Sequence, residues 1–245
     1  VRYATKKIKD VGGDAFNKVR RSWKMAGLDD IEIDHIQKSR PGLANNTPTV
    51  LRKVAEKENI GVFSRPMKLY RGVEKFKDES ARKIVGTLRQ IDDVQQPGAT
   101  YLPTRRRVAA QVTKALEDLK GDMADEFGSA LEGSYASKVS AVDNAIETWS
   151  DKLIGKGSSK QYSATGLWRD KVKYDKVVPH GKTKLTIDQA IDQKIANVFR
   201  EEVELVAKGA PAELGQGLKK SMLDYGTAAS YNNALNKHIK AKSGR

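Results

Sequence analysis

The second half of the chain repeats apolar residues at steps of three and four, which is the spacing of one face of an α-helix. Nine apolar positions follow one another in this way between Asp122 and Leu153. This stripe predicts a single amphipathic helix of about eight turns. Steps of four dominate it, which favours packing in a bundle over a two-stranded coiled coil.

More helices are predicted after a linker at residues 155–160, which is rich in glycine and serine. They are Ser163–Val178, Thr186–Lys208 with Thr186 as N-cap and Gly209 as C-cap, and a helix opened by Pro211. Short connections between helices indicate antiparallel neighbours. The region 121–245 is therefore predicted to be a bundle of long helices.

The first 120 residues are predicted to be helical but more irregular. The helices expected here are Arg2–Asp10, Asp14–Ala26, Pro48–Asn59, Asp78–Val94 and Pro103–Lys120. The irregular stretches between them are Gly27–Asn46, Gly61–Lys77 and Gln95–Leu102. Thr47-Pro48 has the pattern of a cap followed by a first-turn proline. Only Met67–Val73 alternates in the manner of a strand, so the chain as a whole is predicted to be all-α, with a basic, loop-rich region at 1–120.

The chain is strongly basic, with 45 Lys+Arg against 31 Asp+Glu and a formal net charge of +14. Residues 1–120 hold 26 basic and 15 acidic residues, and residues 121–245 hold 19 and 16. Such a charge favours non-specific binding to the phosphates of DNA. The residues predicted to neutralise phosphates, without reading bases, are Lys6, Lys7, Lys9, Arg20, Arg21, Arg105, Arg106 and Arg107.

Cysteine is absent and histidine occurs only at positions 35, 180 and 238. The composition excludes disulfides, thiolate-bound metals and thiol catalysis, and it argues against a histidine-rich metal site. No cofactor is expected. No apolar run approaches the roughly 20 residues that a membrane-spanning helix needs.

The long apolar stripe is a candidate for assembly as well as for folding. Its members could form an interface between copies of the chain or could lie in the core of one chain. The candidate interface residues are Phe127, Leu131, Ile146 and Trp149.

Two short patterns suggest enzymes. Asp34-His35 followed by Asn45-Asn46 is similar to the start of an HNH nuclease motif, but the metal-binding histidine that should follow is absent from Pro48–Asn59. Arg71, in Leu69–Val73, resembles the strand arginine of ADP-ribosyltransferases, whose Ser-Thr-Ser motif is missing. No catalytic residue is assigned, and the protein is not expected to be an enzyme.

The segment GLWRDKVKYDK at residues 166–176 resembles a segment of large helical virion proteins of tailed bacteriophages. The resemblance covers residues 163–240. It includes a following long helix with a central arginine, an Ala-Pro turn and a last helix with tyrosines. The corresponding residues are Asp188–Lys208 with Arg200, Ala210-Pro211, Tyr225 and Tyr231–Lys237.

This resemblance implies a structural protein of the phage particle, internal, ejected or associated with the portal or tail. Such a protein would assemble with copies of itself and with other virion proteins, and would touch DNA without sequence preference. The alternative is a cytoplasmic, non-viral helical protein that binds nucleic acid or acts as a scaffold.

Overall fold

The computed structural model describes residue 14 and residues 17–60, 66–94, 102–127, 132–154, 160–175 and 186–243. The regular structure of these ranges is α-helical, which confirms the predicted all-α fold class. The helices are α1 (residues 17–25), α2 (Asp30–Ser39), α3 (Pro41–Glu58), α4 (Pro66–Asp93), α5 (Arg105–Phe127), α6 (Glu132–Ile154), α7 (Ala164–Asp175), α8 (Ile187–Gly209) and α9 (Ala212–Ser243). An antiparallel bridge between Thr104 and Gln161 is the one isolated β-bridge in the described ranges.

The helices form two compact units that alternate along the sequence. Unit 1 comprises Val1–Ile84 and Lys219–Arg245, and unit 2 comprises Val85–Leu218. Their boundaries fall inside α4 and α9, whereas the expected division at 120/121 lies inside α5. The units therefore differ from the expected regions 1–120 and 121–245.

The core of unit 1 surrounds Trp23 of α1 and Tyr231 of α9, whose ring centroids lie 5.3 Å apart. The Tyr231 hydroxyl donates a hydrogen bond of 2.8 Å to the backbone oxygen of Ser22, so the buried phenol keeps a polar partner. The other buried members of this core are Val19, Ala26, Ile33, Ala44, Val50, Val54, Ile60, Val73, Ala228 and Leu235.

Residues 27–46, which were predicted to be irregular, instead form α2 and the start of α3. Asp29 begins α2 with a capping box, because its carboxylate accepts from the Glu32 amide at 2.8 Å while Glu32 accepts from the Asp29 amide at 3.0 Å. Pro41 lies in the first turn of α3, where its missing N–H is harmless. The caps and the burial of Ile33 and Ala44 outweigh the weak helix propensity of this stretch.

Pro48 lies inside α3, so the predicted Thr47-Pro48 cap is wrong. A proline at this position cannot donate to the carbonyl of Ala44, and α3 continues through it. The Thr47 hydroxyl donates to the Leu43 carbonyl at 2.9 Å. Thr47, Val50 and Val54 are buried on one side of α3, and this tertiary packing holds the helix together despite the proline.

Met67–Val73, which alternates in the manner of a strand and lies in the stretch predicted to be irregular, is helical and belongs to α4. Val73 is fully buried, and Gly72 packs against α3 and its C-terminal end. A Cβ atom on Gly72 would lie only 2.8 Å from the side chains of Val54 and Ile60. The short apolar alternation is therefore part of a helical face.

The helix predicted over Asp122–Leu153 is two helices, since α5 ends at Phe127 and α6 begins at Glu132. Within unit 2, α5 packs against both α6 and α8. Lys194 lies 3.1 Å from Asp122, and Arg107 lies 3.4 Å from Glu202. These two ion pairs join opposite ends of the helices and show that α5 and α8 are antiparallel.

The start of α8 is as predicted, with Thr186 as N-cap and Gln189 completing a capping box. The predicted C-cap is wrong by one residue, because Gly209 is the last helical residue and extended Ala210 ends the helix. The predicted helix Ser163–Val178 is described as α7, and its last three positions lie outside the described residues.

Candidate nucleic-acid interface

The net charge of the chain lies entirely in unit 1. Unit 1 contains 26 Lys+Arg and 12 Asp+Glu, whereas unit 2 contains 19 of each. The formal charge is therefore +14 for unit 1 and zero for unit 2. Any long-range attraction of a polyanion is directed toward unit 1.

Many basic side chains of unit 1 are exposed, and they come from α1, α2, α4 and α9 and from the α2–α3 connection. In helices, long basic side chains can pack their stems on the surface while the charged ends stay in water. The exposed basic residues include Lys18, Arg21, Lys38, Arg40, Arg71, Arg82, Lys219, Lys220, Lys237 and Lys242.

Arg20, one of the predicted DNA contacts, ties α1 to α2. Its guanidinium lies 2.5 Å from Asp30 and 2.6 Å from Asp34, and the side chain is only 23% exposed. Its hydrogen bond to Asp30 lowers the pKa of that carboxyl below its ordinary value. A phosphate would have to compete with two carboxylates for this guanidinium.

The remaining predicted DNA contacts divide between unit 1 and unit 2. Arg21 is exposed on α1 in unit 1. Lys6, Lys7 and Lys9 belong to the sequence of unit 1 but lie outside the described residues. The triplet Arg105–Arg107 lies in the first turn of α5, in the neutral unit 2. The described structure therefore divides the predicted set between the two units.

Within this triplet, Arg106 is exposed, and its side chain pairs with none of the described residues. The Arg105 guanidinium lies 4.8 Å from the ring centroid of Tyr162, a cation–π contact. The backbone around it is fixed too, because the Arg105 amide donates to the Lys160 carbonyl at 3.0 Å. Arg107 is half exposed and pairs with Glu202 of α8.

Glu202 of α8, the partner of Arg107, is only 3% exposed. Burial raises the pKa of this carboxyl, and the charge of Arg107 opposes the rise. Its Oε1 atom lies 3.4 Å from Arg107 Nε. Its Oε2 atom is buried and accepts no hydrogen bond from the described residues. Arg107 is thus a structural partner of a buried carboxylate.

Asp92, near the end of α4, accepts hydrogen bonds from the start of α7, which lies 72 residues further along the sequence of unit 2. Its carboxylate accepts from the amides of Ala164 and Thr165, at 2.7 and 3.1 Å, and from the Thr165 hydroxyl at 2.7 Å. The unpaired amides at a helix N-terminus favour such an anion. The first turn of α7 is therefore held against the end of α4 by one side chain.

The candidate interface residues were Phe127, Leu131, Ile146 and Trp149. Trp149 is 4% exposed and lies 5.2 Å from Tyr174 and 5.5 Å from Phe199, between ring centroids, so it belongs to the core of unit 2. Ile146 is half-buried on α6. The side chain of Phe127 and all of Leu131 lie outside the described residues.

The residues of the two enzyme-like patterns lie on helices. His35 is exposed on α2, and the Asn46 amide donates to Asp224 at 3.0 Å and to Thr227 at 3.2 Å. Arg71 is exposed on a helix, where an ADP-ribosyltransferase would have a strand.

The described ranges contain no group of three or more His, Asp or Glu residues that could hold a metal ion. Within the same ranges, every helix is too short or too polar to cross a membrane. Comparison of the chain with protein-family models, with curated proteins and with solved structures found no match.

Proposed function

We propose that this protein is a structural, non-enzymatic protein that contacts DNA through phosphates, with unit 1 as the contacting part. The observation that carries the proposal is the confinement of the +14 charge to unit 1 beside a neutral unit 2. Basic side chains exposed on several helices suit charge neutralisation over an extended backbone, which needs no shaped pocket.

The setting that we propose is the particle of a tailed bacteriophage, with the chain assembled in several copies. The resemblance of residues 163–240 to helical virion proteins supports this setting. The alternative is a non-viral helical scaffold that binds nucleic acid. A large oligomer in light scattering would support the virion, whereas a monomer with a defined DNA site size would favour the scaffold.

The test compares two variants that lose the same charge from different units. In the first, the exposed Arg21, Lys38, Lys219 and Lys237 of unit 1 are changed to Gln. In the second, the exposed Arg89, Arg106, Lys114 and Lys208 of unit 2 are changed to Gln. Duplex DNA binding is then measured from low to high salt for both variants and the parent protein.

We expect the unit 1 variant to bind more weakly and to show a shallower salt dependence. The slope of log K against log salt should fall by about 0.9 for each phosphate contact removed. The unit 2 variant, with the same net charge, should keep the parent slope. Equal losses in both variants, or no binding by the parent protein at low salt, would refute the proposal.

A further inference from the structure

One side of α9 is fixed against other segments of unit 1, through residues that follow one another about every two turns. Asp224 lies 2.8 Å from Lys53 of α3. Tyr231 is buried and donates a hydrogen bond to a backbone oxygen of α1. His238 packs against Gly27 in the turn between α1 and α2, where a Cβ on the glycine would lie 2.1 Å from the ring nitrogen Nδ1. These contacts determine which side of α9 faces away from unit 1.

The opposite side of this helix has a lysine near each end. Lys219 and Lys237 are 18 positions apart in the sequence. This is about five whole turns, so the two residues lie on the same side of α9, about 27 Å apart along its axis. Both side chains are exposed. We call this side the outer face of α9, and the helical period assigns to it Lys219, Leu223, Gly226, Ser230, Asn233 and Lys237.

The positive charge of the outer face of α9 is not compensated by acidic residues of the same helix. Positions 219–243 contain one acidic residue, Asp224, whose side chain is 13% exposed and pairs with Lys53. Lys219 and Lys237 form no ion pair with a described residue. By contrast, several basic side chains of α3 and α4 pair with acidic neighbours. The outer face of α9 is therefore complementary in charge to a polyanion.

We propose that unit 1 contacts duplex DNA through the outer face of α9, with Lys219 and Lys237 each neutralising a phosphate. This inference rests on the proposed function and adds to it the contacting surface and the form of DNA. Phosphates of one strand follow one another about every 3.4 Å along the duplex axis, so the two lysines span about eight base pairs. Hydroxyl and amide side chains also bind phosphates, which suits Ser230 and Asn233 between the lysines.

The outer face of α9 suits a duplex better than a single strand. Proteins that bind single strands without sequence preference stack the bases on aromatic side chains. The outer face contains only lysine, leucine, glycine, serine and asparagine, and Tyr231 lies in the core. Contact through phosphates alone favours the duplex, because its charge density is higher.

The test compares Lys219→Gln with Lys237→Gln against a matched pair, Lys38→Gln with Arg71→Gln. All four residues are exposed in unit 1, and the matched pair lies on α2 and α4. Both double variants lose two positive charges, so they have the same net charge. Fluorescence anisotropy then measures binding from low to high salt, for a duplex several times longer than the span of the two lysines and for one of its single strands.

We expect the α9 pair to lower the slope of log K against log salt by about 1.8, which is 0.9 for each phosphate contact, while the matched pair keeps the parent slope. Equal decreases for the two pairs would overturn the α9 surface and leave DNA binding by unit 1 in place. Tighter binding of the single strand than of the duplex by the parent protein would overturn the assignment to a duplex. No binding of DNA by the parent at low salt would overturn the proposed function and this inference together.

Discussion

Replacing Arg107 with Ala should destabilise unit 2, although half of this side chain faces water. Arg107 is the only charged partner that the described structure gives to the buried Glu202 carboxylate. Its removal leaves a charge that is 3% exposed without a counter-ion. Breaking a buried ion pair from one side is far more harmful than losing a surface pair.

The expected loss is about 2 kcal/mol in the free energy of unfolding at neutral pH, below the 3–5 kcal/mol of a fully buried pair, since Arg107 is half solvated. Adding Glu202→Gln to Arg107→Ala should restore the lost stability, because the amide carries no charge. Glu202→Gln alone should change stability by less than about 1 kcal/mol. The double variant should therefore be nearly as stable as Glu202→Gln.

The sign of the contribution of Glu202 to the pH dependence of stability follows from the direction of its pKa shift. Burial raises the pKa of Glu202, so the folded protein binds its proton more tightly than the unfolded chain does. This contribution favours folding below the unfolded pKa and is lost as pH rises through the folded value. In Arg107→Ala the folded pKa rises further, so acidification should recover part of the lost stability. Glu202→Gln should remove that recovery.

Urea unfolding gives the overall change, and hydrogen exchange of α5 and α8 shows that it arises in unit 2. Arg106→Ala is the control, because Arg106 is the exposed neighbour on the same turn. The reasoning is refuted if Arg107→Ala costs no more than Arg106→Ala. It is also refuted if Glu202→Gln fails to rescue Arg107→Ala.

Three further predictions test the capping, the turn and the charge. Asp92→Ala should lower stability by about 1–2 kcal/mol in thermal unfolding, because the amides of Ala164 and Thr165 lose their acceptor, while the exposed Asp93→Ala should change little; equal effects would contradict this role of Asp92. Gly27→Ala should cost more than about 1 kcal/mol, because φ is +83° and the new Cβ would lie 2.1 Å from His238 Nδ1; unchanged urea unfolding would contradict this. Raising salt should slow amide exchange in unit 1 more than in unit 2, because screening relieves repulsion only where net charge is present; equal slowing in both units would count against it.

The sequence pattern predicts the fold class and most helices of unit 2, because a long amphipathic stripe specifies a helix from the residues of that segment alone. Thr186 is found as N-cap because its capping box lies within four residues. The predictions that were wrong concern segments whose structure depends on contacts with residues far away in the sequence. Pro48 is tolerated inside α3 because one side of that helix is buried. Met67–Val73 joins α4 because Gly72 admits close packing against Val54.

In the candidate site, too, the roles of the residues depend on contacts that the sequence pattern does not show. Arg105, Arg107 and Arg20 look equivalent to any exposed basic residue in the sequence, and only the fold gives them partners. Those partners are Tyr162, Glu202 and the two aspartates of α2. Glu202 was missed for the same reason, since its burial depends on α5 packing against α8. A helical period places a residue on a face but does not show what covers it.

The charge partition is likewise a property of the fold and is only partly visible in the sequence. A linear count leaves residues 121–245 with a surplus of three positive charges. Residues 219–245 hold six Lys+Arg and one Asp, and the fold joins them to the basic N-terminal part. What remains as unit 2 is neutral, and it holds the predicted contacts Arg105–Arg107. Electrostatic attraction acts on the folded distribution of charge, so a polyanion should meet the exposed lysines of α9 before it meets the basic triplet of α5.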